Sequence, residues 1–204
     1  MSIRFATPPE ASNAEAQRGL SEITSSHRFG LTAEALGGGI DPNSLSSPHP
    51  VFLARLDEAR TGKALDSAKH YGWRYFVGPG TGRAAEVALG GSQGTYNFSG
   101  LNSGAMNNRL LAVLNEAEND PRVKERDFEP SLLQVNALNL SVIWLKATNS
   151  QNDLFVPVEP APKEFHAGQV YERNEFNELL TAAARNKPDI KPDSQTDSAA
   201  QERG

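Results

Sequence analysis

The alternation of apolar and polar residues predicts a group of short strands in the middle of the chain. Three runs of strand length, 73–77, 83–89 and 95–99, place alternate side chains on opposite faces. Two glycine clusters, 78–82 and 90–94, separate these runs. Because glycine readily adopts the positive φ that hairpin turns require, the pattern predicts an antiparallel three-stranded meander.

A helical period on either side of the meander predicts helices. The three helices predicted from this spacing are Pro50–Lys69, Met106–Ala117 and Phe176–Ala183. Gly62 is expected to interrupt the first helix, Asn102 or Ser103 to cap the second, and Pro188 to follow the third.

A second group of strands is predicted after the middle helix. The runs 132–135 and 138–146 are apolar, and 154–158 returns as the hairpin partner of the second run. Both faces of this run are apolar near Trp144, which predicts a strand in the interior of the sheet. Pro157 has no N–H to donate, so the return strand is predicted to be an edge, or to end, at that residue.

The order of these elements predicts an α+β fold. Its antiparallel sheet is built from the three-stranded meander and the later hairpin, with about three helices packed on one face. Residues 1–48 are polar and are predicted to form a largely disordered tail, in which 11–23 is at most a transient helix. Residues 49–187 are predicted to form a single domain, and 188–204 a disordered C-terminal tail.

The glycine loop at 78–82 has a second interpretation. A glycine-rich loop between a strand and a helix can hold a phosphate or a carboxylate on its backbone N–H groups. The letters GPGTG resemble the glycine loop of S-adenosylmethionine-dependent methyltransferases, which implies an enzyme that binds a nucleotide-type cofactor through Gly78, Gly80 and Gly82. Val77 stands where that family usually has an acidic residue. Only seven residues separate the two glycine clusters, and a crossover connection needs about a dozen, so the length favours the meander and no cofactor.

The titratable side chains form no local catalytic or metal-binding pattern. There is no cysteine, and no histidine lies three or four residues from another, which disfavours a metal site. Ser99, His166 and Asp153 have the residue types of a catalytic triad, but so would three residues of almost any chain of this size. The sequence therefore leans against an enzyme.

The overall composition bounds the partners. A net charge of −5 without a basic stripe makes nucleic acid an unexpected partner. No apolar run approaches the roughly 18 residues of a membrane span. The first residues lack the apolar centre of a secretory signal. We therefore expect no membrane contact, and either a cytoplasmic location or export without a classical signal peptide.

Aromatic residues are concentrated in the predicted meander. They are expected either to pack in the core and pair across strands, or to anchor a partner protein together with a nearby arginine. The candidate protein-binding residues are Tyr71, Trp73, Arg74, Tyr75 and Tyr96. The sequence thus predicts a non-catalytic protein-interaction or structural component with an unidentified protein partner. The alternative is a small methyltransferase-like enzyme that uses the loop at 78–82.

Overall fold

The structure is a computed structural model that describes residues 3–25, 40–78, 82–90, 94–148 and 152–188. The helices in these ranges are α1 (Glu10–Ser25), α2 (Leu56–Arg60), α3 (Ala64–Ser67), α4 (Ala105–Ala117), α5 (Pro121–Lys124) and α6 (Arg173–Asn186). The strands are β1 (Leu45–Leu53), β2 (Lys69–Val77), β3 (Arg83–Leu89), β4 (Tyr96–Ser103), β5 (Phe128–Val135), β6 (Leu140–Ala147), β7 (Leu154–Val158) and β8 (Tyr171–Glu172).

These strands form one sheet in the order β4-β3-β2-β1-β5-β6-β7-β8. The pairing of β1 with β5 is parallel, with Val51 opposite Leu132, and every other pairing is antiparallel. The predicted α+β class is confirmed. The purely antiparallel sheet is corrected to a mixed sheet, in which β1 joins the meander to the later strands.

Strand β1 replaces the first part of the helix predicted at Pro50–Lys69. Val51 is fully buried between β2 and β5, so pairing on both sides overrides the helical spacing of the apolar residues. A register shift between Ser46 and His49 accommodates the proline-containing part of this strand. The helical part of the prediction survives as α2 and α3, separated at Gly62, which adopts a φ of 74°.

The meander itself is confirmed. Residues 83–89 form β3, which pairs antiparallel with β2 and β4. Gly78 and Gly82 have φ angles of 70° and 64°, as expected for turn residues, whereas Gly80 lies outside the described residues. Because β3 is a strand, the helix required by the cofactor interpretation is absent from 83–89.

The later strands also follow the prediction. Strand β6 lies between β5 and β7, and Trp144 is only 7% exposed, which confirms an interior strand. Strand β8 pairs with the outer side of β7 only at Leu154 and Phe155, so β7 is not an edge there, and β7 ends at Val158, directly after Pro157. Pro157 is tolerated because its backbone N and C=O point away from β6 and β8 does not reach it, so no ladder bond needs its N–H; its carbonyl oxygen accepts from the Gly168 N–H at 2.8 Å.

Helices cover both faces of the sheet rather than one. Leu132 and Leu133 are adjacent in β5 and therefore point to opposite faces. Leu133 belongs to the core cluster that contains Phe176 of α6 and buried residues of α2 and α3. Leu132 belongs to the cluster that contains Leu110 of α4.

Helix α1 lies within the segment predicted to be largely disordered. It packs on β3 and β4, and Ala16 and Leu20 are fully buried. The Ser12 hydroxyl lies 2.8 Å from that of Tyr75, and the Phe98 ring lies directly against Gly19. Residues 10–25 of this segment therefore form a helix packed on the sheet, because small residues such as Ala16 and Gly19 let α1 lie close against β4. The tail predicted at 188–204 lies, apart from Pro188, outside the described residues.

Candidate functional site

Most of the predicted interaction residues are not at the surface. Trp73, Arg74 and Tyr75 of β2 are 7%, 6% and 1% exposed, because strands flank β2 on both sides and helices pack over the sheet. Tyr71 is half-buried against the core under α4. Tyr96 is half-buried on β4, the outermost strand, beside α1. Of the two interpretations of these aromatics, packing in the core describes Trp73 and Tyr75, whereas Tyr96 lies on the edge strand of the sheet.

Strand β4 is an unusually neutral edge. Its sequence YNFSGLNS contains no charged residue and no proline. Among the described residues, no strand pairs with its outer side. Edge strands in natural proteins are usually short, charged, interrupted by proline or covered, since free backbone groups invite pairing with another chain. Strand β4 has eight residues, so it is not short, and it carries neither a charged residue nor a proline; of these protective features it has a bulge.

Backbone hydrogen bonds at the two ends of the β3–β4 pair determine which groups of β4 face outward. Gly90 N donates to Thr95 O at 2.8 Å, and Gly104 N donates to Gly82 O at 3.3 Å. Along an antiparallel strand pair, residue pairs that exchange hydrogen bonds alternate with pairs that do not. Counting from the hydrogen-bonded pair at each end therefore shows which residues of β4 point their N–H and C=O groups toward β3 and which point them away. The residues whose N–H and C=O groups point away from β3 are Tyr96, Phe98, Leu101 and Ser103.

A β-bulge divides this outer edge into two parts. Glu86 lies opposite Gly100, and Val87 lies opposite Phe98, which leaves Ser99 as the extra residue on β4. Bulges increase local twist and interrupt regular pairing. An incoming strand therefore meets one outward pair of residues on each side of Ser99.

Helix α1 covers one outward donor of the edge. The Phe98 N–H donates to Glu15 Oε1 at 2.8 Å. Arg18 donates to both oxygens of the same carboxylate, from Nε at 2.8 Å and from Nη2 at 2.6 Å. The Arg18 guanidinium, with a smaller contribution from the Phe98 N–H, lowers the pKa of Glu15, while partial burial acts in the opposite direction. Glu15 is thus a charged acceptor in the position that a partner's carbonyl oxygen would take.

An aromatic cluster around Lys146 is the second chemically unusual place. The Phe52 and Trp144 rings lie 5.4 Å apart by their centroids, and the Lys146 Nζ lies over both. Burial lowers the pKa of Lys146 to about 8, and the charges of Asp153 and Glu129 reduce this shift. The sequence pattern does not reveal this cluster, because the spacing of the apolar residues around Phe52 predicts a helix there.

The residues with triad chemistry are not brought together. Ser99 lies on β4, at one end of the sheet, and Asp153 lies directly before β7, six strands away. Neighbouring strands are about 4.8 Å apart, so several strand widths separate the two side chains. Asp153 instead accepts the Trp144 Nε1–H at 2.9 Å and the Ala147 N–H at 3.0 Å. It therefore has a structural role at the end of the β6–β7 hairpin.

The letters GGSQG at 90–94 match the pattern of a nucleophile elbow, but their setting differs. An elbow connects a strand to a helix, whereas here β3 leads into β4. Ser92 itself lies outside the described residues. In the described ranges, no three His, Cys, Asp or Glu side chains are placed to share a metal ion. None of the helices described is both long and apolar enough to cross a membrane.

A large groove formed by described residues is polar. It has a volume of about 570 Å³ and lies beside the N-terminus of α6, between Arg126 and Arg173. Arg173 is already paired with Asp66 at 2.6 Å and lies 3.5 Å from Asp153. Because acids neutralise this arginine, the groove presents mixed charge rather than a selective site for an anion.

A comparison of the chain with protein-family models, with curated proteins and with solved structures finds no match.

Proposed function

We propose that this chain is a non-catalytic protein-interaction component that binds an extended segment of a partner protein along the outer edge of β4. The observation that carries the proposal is the row of outward N–H and C=O groups on a neutral strand of eight residues. Adding a strand to such an edge is a recurring mode of peptide recognition, in which main-chain hydrogen bonds supply affinity.

The side chains of β4 give the bound segment a preferred pattern. Tyr96, Phe98 and Leu101 are half-buried and pack toward α1, where they continue the apolar clusters on that face. Asn97 and Asn102 are exposed on the other face. A partner strand is therefore expected to place apolar side chains on the α1 side and polar side chains on the opposite side.

Glu15 sets a condition on binding. In the free chain its carboxylate accepts the Phe98 N–H, whereas Leu101 and Ser103 lie on the other side of the bulge. A partner strand that spans the whole of β4 must replace this carboxylate with a backbone carbonyl oxygen. A shorter strand can pair beyond Ser99 without disturbing α1.

The test compares two substitutions at one exposed position. Ser103→Pro removes an outward N–H but leaves the inward bonds to β3, and Ser103→Ala is the matched control. Proteins captured from an extract of the source organism are identified, and the affinity of the purified partner for each variant is then measured. Ser103→Pro should weaken binding about tenfold or more, because one main-chain hydrogen bond is lost and the proline ring keeps the partner strand from approaching the edge closely.

Ser103→Ala should bind like the unmodified chain. Equal affinity of Ser103→Pro and Ser103→Ala for the identified partner, with both variants folded, would show that the β4 edge is not the binding surface.

A further inference from the structure

The side chain of Lys146 ends among aromatic rings rather than at an acid. Its Nζ lies 3.5 Å from the centroid of the Phe52 ring and 4.2 Å from the Trp144 ring. Within the described part of the chain, Nζ makes no hydrogen bond and no ion pair. The side chain is half-buried, so the amine is poorly hydrated yet reachable from solvent.

The titratable groups around this amine come from several elements. Glu129 of β5 lies directly opposite Lys146 in the strand pair, and Asp153 precedes β7. His70 of β2 is also close enough to interact, and burial lowers its pKa, with a minor contribution from the Lys146 charge. Arg173 of α6 lies 3.5 Å from Asp153 and offsets part of its charge.

The neutral form of the amine is accessible near physiological pH. Burial lowers the pKa of Lys146 to about 8, against the opposing effect of the two carboxylates. The ring faces also favour the ammonium and so reduce the shift. Only a neutral amine is a nucleophile, and desolvated lysines in apolar surroundings are the ones that form imines with carbonyl compounds.

We propose that Lys146 is a covalent modification site for aromatic aldehydes. The amine nitrogen attacks the carbonyl carbon, an N–C bond forms, and the carbonyl oxygen leaves as water with the two amine hydrogens. The product is a neutral imine, and no oxidant or reductant takes part. An aromatic aldehyde is the favoured class because its ring can lie against the half-buried Phe52 ring beside the amine, whereas Trp144 is buried behind it.

The experiment treats the full chain with salicylaldehyde at several pH values. Sodium borohydride then reduces each imine to a stable amine, and mass spectrometry of peptides locates the adducts. At pH 7.5 an amine with a pKa of about 8 is about one-quarter neutral, against about one-thousandth for an ordinary lysine. The neutral fraction is about 200 times larger, and the lower intrinsic nucleophilicity of a less basic amine offsets part of this advantage, so Lys146 should be labelled about tenfold faster, or more, than exposed Lys69 and Lys124. Labelling of Lys146 at the same rate as these two residues overturns the proposal.

Two further comparisons separate the parts of the proposal. Phe52→Leu removes the ring against which an aromatic aldehyde lies, so labelling of Lys146 by salicylaldehyde relative to butyraldehyde at pH 7.5 should fall below that of the unmodified chain. An unchanged ratio in a variant that melts like the unmodified chain contradicts the role of the ring. Butyraldehyde has no aromatic ring, so its labelling ratio between Lys146 and Lys69 should be several-fold lower than that of salicylaldehyde. Equal ratios would overturn the aromatic class.

Discussion

The buried histidine of β1 makes folding stability depend on pH. His49 is 6% exposed, and its Nδ1 lies 2.8 Å from the carbonyl oxygen of Ser47, which accepts the Nδ1–H of the neutral ring. The ring packs against Phe76 and Phe5, with centroid distances of 5.5 and 6.4 Å. Burial, with a smaller contribution from the positive charge of Arg74, lowers the pKa of His49 to about 4, although the bond to Ser47 acts in the opposite direction.

The direction of the effect follows from proton binding in the two states. In the unfolded chain the imidazole has a pKa of about 6.5, so it takes up a proton as the pH falls below that value. The folded chain does not bind this proton until the pH approaches 4. The unfolded state therefore gains stability between pH 6.5 and 4, and the contribution of neutral His49 to folding is lost in that window. With about 1.4 kcal/mol per pKa unit, the loss between pH 7 and pH 4 is about 3 kcal/mol.

The assay is urea unfolding of the unmodified chain and of His49→Phe at pH 7, 6, 5 and 4. Phenylalanine keeps the aromatic volume and cannot titrate, so its cost should be the same at every pH. Carboxylates titrate in both proteins, and the difference between the two curves isolates His49. The unmodified chain should lose about 3 kcal/mol more than His49→Phe between pH 7 and pH 4. A difference between the curves that does not change with pH would refute the reasoning.

Three other substitutions test the packing. Glu86→Gln removes the 3.1 Å ion-pair partner of buried Arg74 and should cost about 3 kcal/mol in a urea titration; Arg74→Met in the same chain should restore part of it, and no recovery would contradict the pairing. Gly19→Ala places a methyl group about 2 Å from the Phe98 ring and should cost about 1–3 kcal/mol, which Phe98→Leu should partly relieve; an unchanged midpoint would show that α1 does not pack there. Trp144→Ala should cost about 3–5 kcal/mol, and coincident urea midpoints would place Trp144 outside the core.

The sequence pattern is sufficient to identify a helix or strand where the two faces of that element differ in polarity. The meander, β6, α4 and α6 were found in this way, because each presents a periodic apolar face to the core. The pattern was insufficient for β1, whose prolines argue against a strand and whose pairing partner β5 is distant in sequence. It also missed the packing of α1, because Ala16 and Gly19 carry little apolar side chain although both are buried.

The candidate site shows the same limit. Tyr96 was found from the aromatic pattern, but sequence cannot show which strand lies at the end of the sheet. Trp73 and Tyr75 were equally aromatic, and only the order of strands placed them inside. The contact between Glu15 and the Phe98 N–H joins residues far apart in sequence, so no local sequence motif can predict it.

The most direct test of the proposed edge is residue-specific amide hydrogen exchange of β4, measured by NMR on the chain alone and with its purified partner. In the free chain, the outward amides of Tyr96, Leu101 and Ser103 should exchange quickly, and the inward amides of Asn97 and Asn102 slowly. Binding of an added strand should slow the outward amides and leave the inward ones unchanged. Outward amides that keep their fast exchange while the partner is bound would contradict the account.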